Sequence, residues 1–320
     1  MIRLMQEILT LTLNPALDLA SETPDVRPGP KLRCTAPRRD PGGGGINVAR
    51  AIHRLGGTAR ALAALGGPTG AALHDLLAAE GVPLIAHPAP GDTRQSLVVT
   101  EAATDAQYRF ILPGPVWSEG DVGAFLDRAE REAPPGGLVV LSGSQPPGTP
   151  DDLTARLAAR LAGTGARLIA DISGAALMAT ARGASALHLL RMDAAEAEEI
   201  AGAPLPTRED SASIARTLVA RGVARQVIVA RGADGAIFAS AEACLHVTAP
   251  EVPVRSKTGA GDSFVAGLTL SLARGEGAPA ALAHASAAAS AAVTTPATEL
   301  CEAATTARLR PLCEVTPLSL

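Results

Sequence analysis

The sequence predicts an α/β fold: a mainly parallel sheet with helices on both faces, and a small second sheet projecting from it. Three observations carry this. Strand-like and helix-like runs alternate through most of the 320 residues, the rhythm of a parallel sheet with crossover helices. Several strand-like runs are short, apolar and bounded by glycine, as in strands buried on both faces. Two stretches, 19–40 and 93–112, break the rhythm; the first is rich in proline and charge and the second alternates like an antiparallel pair.

In chain order, "EILTLTL" (7–13) reads as the first strand. "GGINVARAIHRLG" (44–56) has helical spacing, with Ile46, Val48, Ala49, Ile52 and Leu55 on the apolar positions. "TRQSLVVTEAATDAQYRFIL" (93–112) holds two strands around a polar turn, a poor fit to a parallel sheet. A small sheet built from it and from the 19–40 stretch is a lid candidate, since projecting sheets often cover a ligand site. "GGLVVLSG" (136–143), "ARLIADIS" (166–173) and "ALHLLRMD" (186–193) are buried strands, and "TPDDLTARLAARLAG" (149–163) is a crossover helix that opens on a capping pattern. "RQVIVARGADGAIFAS" (225–240) carries an Asp-Gly hairpin signature between two apolar runs. "DSFVAGLTLSLARG" and the Ala-rich "APAALAHASAAASAAV" (278–293) close the pattern as packed helices.

Composition excludes several functions. A net charge of −4 gives no electrostatic reason to expect nucleic acid as a partner. No apolar run is long enough to span a bilayer, and the start "MIRLMQEILTLTLNP" is not a signal peptide. Cys34, Cys244, Cys301 and Cys313 lie far apart without a CxxC pair, which fits reduced thiols in a cytoplasmic protein. Arginine has displaced lysine everywhere except at Lys31 and Lys257.

Two glycine stretches carry the chemistry. In "SKTGAGDSFVAG" (256–267), Gly259 and Gly261 permit a tight turn ahead of a helix. The free N–H groups there and the helix dipole favour an anion. Asp262 beside a phosphate would be repelled by it, a cost that makes sense if the acid faces a hydroxyl attacking phosphorus. The same residues also suit a plain helix start capped by Asp262. "PGGGGINVARA" (41–51) is not a linker, because a well-patterned helix follows it at once. Nor is it a dinucleotide fingerprint, having no preceding strand and no GxGxxG spacing. Four glycines followed by Asn47 suit close backbone approach to a polyhydroxyl ligand, with the amide bridging hydroxyls.

"LTLNPALD" (11–18), "PGGGGINVAR" (41–50), "LSGSQPPG" (141–148), Asp193 with Glu196, and "GAGDSF" (259–264) fall in the order and spacing of one family. The chain resembles the ribokinase-like, or PfkB, sugar kinases from about residue 8 to the end of the Ala-rich helix. The phrase "PKLRCTAPRRDPGGGGINVARAI" (30–52) is most similar to the branch that phosphorylates fructose 6-phosphate. The resemblance implies a ribokinase-like three-layer sandwich forming one kinase domain over 1–320, with a lid from about 19–40 and 93–112. It implies ATP and Mg²⁺, a phosphorylated sugar as acceptor and a homodimer formed through the lid. Fructose 1-phosphate and tagatose 6-phosphate are the alternative acceptors, and a sugar-phosphate-binding protein without turnover is the alternative of another class.

Residue by residue, the resemblance makes Asp262 the base for the sugar hydroxyl, and Gly259, Ala260 and Gly261 the anion hole for the transferring phosphoryl. Asp18, Gly43, Gly44 and Asn47 would hold sugar hydroxyls, while Lys31, Arg94 and Ser144 would hold the sugar's phosphate. Glu196 and Asp193 would steer Mg²⁺ near the nucleotide phosphates. Arg191, Arg231, Gly232 and Gly235 complete the nucleotide side. Several positions depart from the family pattern. Asp193 stands where the family has Asn, Arg191 where it has Lys, and Ala230 where it has Ser or Thr. Many relatives bind a monovalent cation beside the anion hole. Pro296, Ala297 and Glu299 differ from them there, and the expectation is that the Lys257 ammonium replaces or weakens that site.

Overall fold

In a computed structural model of the chain the described residues are 5–185, 187–296 and 298–318. Their elements are β1 (Ile8–Thr12), β2 (Ala16–Thr23), β3 (Arg38–Gly42), α1 (Gly44–Arg54), β4 (Arg60–Leu65), α2 (Gly67–Ala79), β5 (Leu84–Pro88), β6 (Arg94–Glu101) and β7 (Ala106–Ile111). There follow α3 (Glu119–Glu132), β8 (Leu138–Ser142), α4 (Leu153–Leu161), β9 (Arg167–Asp171), α5 (Gly174–Arg182), β10 (Leu187–Asp193), α6 (Ala194–Ala201) and α7 (Arg208–Ala220). The rest are β11 (Ala224–Ala230), β12 (Ala236–Ser240), β13 (Cys244–Val247), α8 (Ala260–Ala273), α9 (Ala278–Val293), α10 (Ala303–Leu309) and β14 (Val315–Pro317).

The main sheet has ten strands in the order β14-β13-β12-β11-β10-β9-β8-β1-β4-β5. From β11 to β5 every pairing is parallel; β12, β13 and β14 add an antiparallel edge. Successive side chains of each strand face opposite layers. Ile8, Leu138 and Val140 join one core with α1, α2, α8, α9 and α10, whereas Leu9, Val139 and Leu141 join the other with α3 to α7. That division is the three-layer sandwich. The Ala-rich composition acquires a reason in the first layer. Helix α8 is buried from Ser263 to Ser271, and α9 lies close against it because its facing residues are small. A Cβ added at Gly267 would meet the Ala288 Cβ at 3.1 Å.

A second sheet, ordered β3-β2-β6-β7, leaves the main body just after β1 and returns at α1. Strands β2 and β6 run parallel, flanked by antiparallel β3 and β7. Residues 93–112 form the expected antiparallel pair, but 24–37 is not strand, and β2 and β3 reach outward to 16 and 42. Two local expectations change. The Asp-Gly link between β11 and β12 is five residues long, with a single 3₁₀ turn at Gly232–Asp234. Asp152, at the start of α4, makes no side-chain cap and instead pairs with Arg156 at 2.8 Å. One turn along the helix, a guanidinium offers that carboxylate a charge-assisted partner that the backbone N–H does not.

Candidate active site

Ser142, Asp171 and Asp193 stand at the carboxyl ends of β8, β9 and β10, where open α/β sheets bind ligands. Helix α8 starts there from Gly259, whose φ of 76° is left-handed and suits glycine. Asp262 lies in the first turn and accepts a hydrogen bond from Asn47 Nδ2 at 3.0 Å. Its pKa is pushed up to about 7. Loss of solvent is the main cause and the nearby Asp171 charge adds to it, while Asn47 and Arg191 oppose. A carboxylate poised near neutrality is suited to accept a proton from a hydroxyl.

Arg191, on β10, donates to Asp171 at the end of β9 (3.0 Å), and Ser142 Oγ, at the end of β8, donates to the other Asp171 oxygen at 3.1 Å. The guanidinium also lies against the start of α8, where a Cβ added at Gly261 would meet Arg191 Nη1 at 3.4 Å. Asp171 and Ser142 were missing from the residues singled out in the sequence. The signal was present: each is the last residue of an apolar run identified as a parallel strand, the position from which such sheets present functional side chains.

On the second sheet, Asp18 of β2 stands opposite Asp40 of β3 and Ser96 of β6. Its pKa is raised to about 6, mainly by burial; Arg94 opposes the rise and Asp40 adds to it. Arg94 donates to the Asn14 carbonyl at 3.3 Å and more distantly to Ser96 and Leu112. Asn14 in turn donates to Ser144 Oγ at 3.2 Å, so Arg94, Asn14 and Ser144 form one cluster. The Asn14 Oδ1 is buried without a hydrogen-bond partner among the described residues, an atom with unused capacity inside that cluster. Lys31 lies exposed in the 24–37 segment, and no hydrogen bond or ion pair joins it to Arg94, Asp18 or Ser144.

The glycine run answers to the protein's own packing. A Cβ at Gly43 would meet Thr12 Cγ2 at 2.8 Å, one at Gly44 the Gly143 nitrogen at 2.5 Å, and one at Gly45 the Thr12 Oγ1 at 2.6 Å. Gly42, not singled out in the sequence, clears space for Asp18, whose Cγ would lie 2.5 Å from an added Cβ. The side of Gly43 and Gly44 that a Cβ would occupy is therefore filled by the ends of β1 and β8. The run lets α1 begin tight against those strands, and that placement brings Asn47 to Asp262.

On the nucleotide side, Asp193 and Glu196 form a capping box at the start of α6: Asp193 Oδ1 accepts from the Glu196 N–H at 2.9 Å, and Glu196 Oε2 accepts from the Asp193 N–H at 2.8 Å. Burial raises the Glu196 pKa, the backbone bond opposes it, and the Asp193 charge adds to it. Each acid spends one oxygen on the cap. Two carboxylates on one turn fit a hydrated Mg²⁺ carried by phosphates, which needs few protein ligands; no three-residue metal cage exists among the described residues.

Arg231 corrects the sequence expectation. Its guanidinium is spent on Asp234 (2.9 Å), Ser211 Oγ (2.5 Å) and the carbonyls of Leu205, Pro206 and Thr207. It braces the 205–207 segment and offers the nucleotide no fork. Gly232 and Gly235 hold left-handed φ of 61° and 88° in the turn beside it, and Gly235 packs on the Val247 carbonyl. Lys257 is exposed, two residues before the turn at Gly259. Ala297 lies outside the described residues.

The second sheet is also tied to the segments that flank the anion-hole turn. Arg38 of β3 donates to Glu299 at 2.7 Å and to Thr298 Oγ1 at 3.1 Å, and Thr298 donates to Asp40 at 2.5 Å. Arg109 of β7 donates to Thr258 Oγ1.

The family model described as pfkB family carbohydrate kinase matches residues 12–305. The chain belongs to that family. Among its relatives, the ATP-dependent 6-phosphofructokinase isozyme 2 of Mycobacterium tuberculosis is 41% identical over 268 residues, 84% of this chain and 78% of the relative. The Escherichia coli protein of the same name is 42% identical over 269 residues, 84% and 86% of the two chains. The crystal structure of E. coli phosphofructokinase-2 in complex with potassium superposes with a TM-score of 0.91 at 39% identity, covering 96% of this chain and 99% of that one. The same enzyme in complex with fructose-6-phosphate gives a TM-score of 0.89 at 38% identity over the same shares. Family membership makes the chain an ATP-dependent carbohydrate kinase with the ribokinase-like sandwich.

Proposed function

We propose that the protein phosphorylates fructose 6-phosphate to fructose 1,6-bisphosphate, with ATP as donor. The observation that carries the reading is the pairing of two separate devices linked through Asp18, whose charge acts on Asp262 and is itself opposed by Arg94. Asp262, with a pKa near 7, opens α8, and the Arg94–Asn14–Ser144 cluster offers cationic and neutral donors for a phosphate the sugar already bears. The relatives named for this reaction support the choice of acceptor. Asp262 takes the proton of the attacking C1 hydroxyl, and the Gly259–Gly261 amides meet charge on the transferring phosphoryl. Mg²⁺, when bound, neutralises phosphate charge beside Glu196 and Asp193. Closure of the second sheet keeps water from the γ-phosphoryl.

The test is an ADP-release assay with MgATP and fructose 6-phosphate, fructose 1-phosphate, tagatose 6-phosphate, fructose and ribose. A kcat/KM preference for fructose 6-phosphate is expected. Preference for another phosphorylated sugar would transfer the reading to that substrate. Silence across the panel, with a sugar phosphate still raising Tm, would make the protein a binder.

Asp262 must be ionised to accept a proton, and its pKa is about 7. As pH falls below that value, kcat/KM is expected to drop about tenfold per unit, a limb that Asp262→Asn abolishes.

The Arg38 tie to Glu299 is half-exposed and contributes at most about 1 kcal/mol to stability. Glu299→Gln breaks that tie and leaves the Arg38–Asp40 pair at 2.8 Å in place, so it is expected to leave Tm within about 2 °C of native while KM for the sugar phosphate rises about 3–10-fold, the cost of a lid less firmly closed. An unmoved KM would detach the lid from this pair.

A homodimer formed through the second sheet is consistent with Phe110, Ile111 and Leu112, large apolar side chains exposed at and beyond the end of edge strand β7. A cytoplasmic enzyme is consistent with the scattered free cysteines and with no helix of the described residues being long and apolar enough to cross a membrane.

A further inference from the structure

Four side chains form a line that ends on Asp262, and the mechanism above leaves two of them, Glu80 and Arg50, unused. Glu80, at the end of α2, holds Arg50 with both oxygens: Arg50 Nε donates to Oε2 at 2.7 Å and Nη2 to Oε1 at 2.6 Å. Arg50 is 1% exposed. Its remaining nitrogen, Nη1, donates to the Pro41 carbonyl at 2.8 Å and to Asn47 Oδ1 at 3.2 Å. Asn47 Nδ2 then donates to Asp262 at 3.0 Å.

An asparagine amide has one accepting end and one donating end, whereas guanidinium only donates and a carboxylate only accepts. With Arg50 at one end and Asp262 at the other, one orientation satisfies both neighbours. The reversed amide would set oxygen against carboxylate and NH₂ against guanidinium. Besides the Asn47 amide, Arg50 serves the Pro41 carbonyl and lowers the pKa of Asp18 by its charge. Its neighbours on α1, Val48, Ala49, Ala51 and Ile52, are fully buried in the apolar core, where an apolar side chain would be cheaper to bury than an ion pair.

We infer that Arg50, anchored by Glu80, is a positioning residue that locks the Asn47 amide in the orientation that donates to Asp262 and so favours the ionised carboxylate. The catalytic consequence rests on Asp262 acting as the base; the orientation itself does not. Other groups act on Asp262 as well: Asp171 from β9, Arg191 from β10 and Asp18 from β2. A test must therefore leave all three unchanged.

The experiment is a ¹³C-carboxyl NMR titration of the full, ligand-free chain, with the Asp262 resonance assigned by its loss in Asp262→Asn. Native protein is compared with Arg50→Lys, Asn47→Ala and the double variant. Lysine keeps the charge and loses the fork, so the variant changes geometry more than field. The Asp262 midpoint is expected to rise by about one pH unit in Arg50→Lys, the size of one charge-assisted hydrogen bond. No further rise is expected when Asn47 is already alanine. An unmoved midpoint, or an equal rise in the Asn47→Ala background, overturns the relay.

Should Arg50→Lys fail to melt cooperatively, Glu80→Asp takes its place, which keeps the charge and withdraws the carboxylate from the Arg50 fork; a smaller rise in the same direction supports the relay and none overturns it. Turnover supplies the second readout. In Arg50→Lys, kcat/KM is expected to fall about fivefold at pH 7 and to recover to near native at pH 9. An equal loss at both pH values overturns the positioning role. If native protein turns over no sugar while the midpoint still moves, the kinase reading fails and the relay stands.

Discussion

Asp262→Asn is expected to lower kcat by about 10²–10⁴-fold, the usual contribution of a general base, while sugar phosphate still binds. Asparagine preserves shape and can still accept from the Asn47 amide, so the loss is one of proton acceptance and not of architecture. Coupled ADP release and a sugar-phosphate-dependent rise in Tm measure the two effects separately. Retention of most of kcat would remove Asp262 from the base role.

The same substitution has an opposite effect on stability. The Asp262 pKa in the folded protein is about 7 against an ordinary 3.8. A carboxyl whose pKa is raised on folding favours the fold most while protonated. Its destabilising effect grows as pH rises from about 4 and is complete above about 7. Asp262→Asn is therefore expected to melt above native protein at pH 8 and level with it near pH 4. A gain in Tm coupled to a loss of kcat is the signature of a group held ionisable for chemistry at a cost to the fold.

Much of this site was legible before any coordinates. The parallel strands announced themselves because both faces are covered, which leaves unbroken apolar runs such as "LVVLS" and "RLIAD" between glycines. The helix start at Gly259 followed from the same kind of local chemistry. Tertiary contacts were hidden. Nothing local to Arg231 distinguishes a guanidinium bound to three carbonyls from one facing a nucleotide, because its partners at 205–207 lie some two dozen residues away. Likewise the glycines at 43 and 44 signal close approach, but the sequence does not say that Thr12 approaches the first and Ser142 and Gly143 the second. Asp171 and Ser142 carry no motif of their own and are marked in the sequence only by their place at the ends of buried strands.

Arg191→Met is expected to be the most damaging substitution outside the base. Arg191 and Asp171 form a nearly buried pair at 3.0 Å. Removing one member leaves the other charge uncompensated, an effect of about 3–5 kcal/mol, or roughly 5–8 °C in Tm for a chain of this size. The damage spreads to the chemistry, because Asp171 raises and Arg191 lowers the pKa of Asp262. With the cation gone and Asp171 still ionised, the base is harder to ionise and the acid limb of the pH–rate profile moves upward. Pairing Arg191→Met with Asp171→Asn separates the two consequences. The double variant no longer buries a lone charge and should recover most of the lost Tm. It should not recover turnover, because the cation that lies against Gly261 at the start of α8 and attracts charge beside Asp193 and Glu196 is still missing. Full recovery of kcat/KM in the double variant would reduce Arg191 to a structural counter-ion for Asp171 and leave the anion hole to the backbone alone.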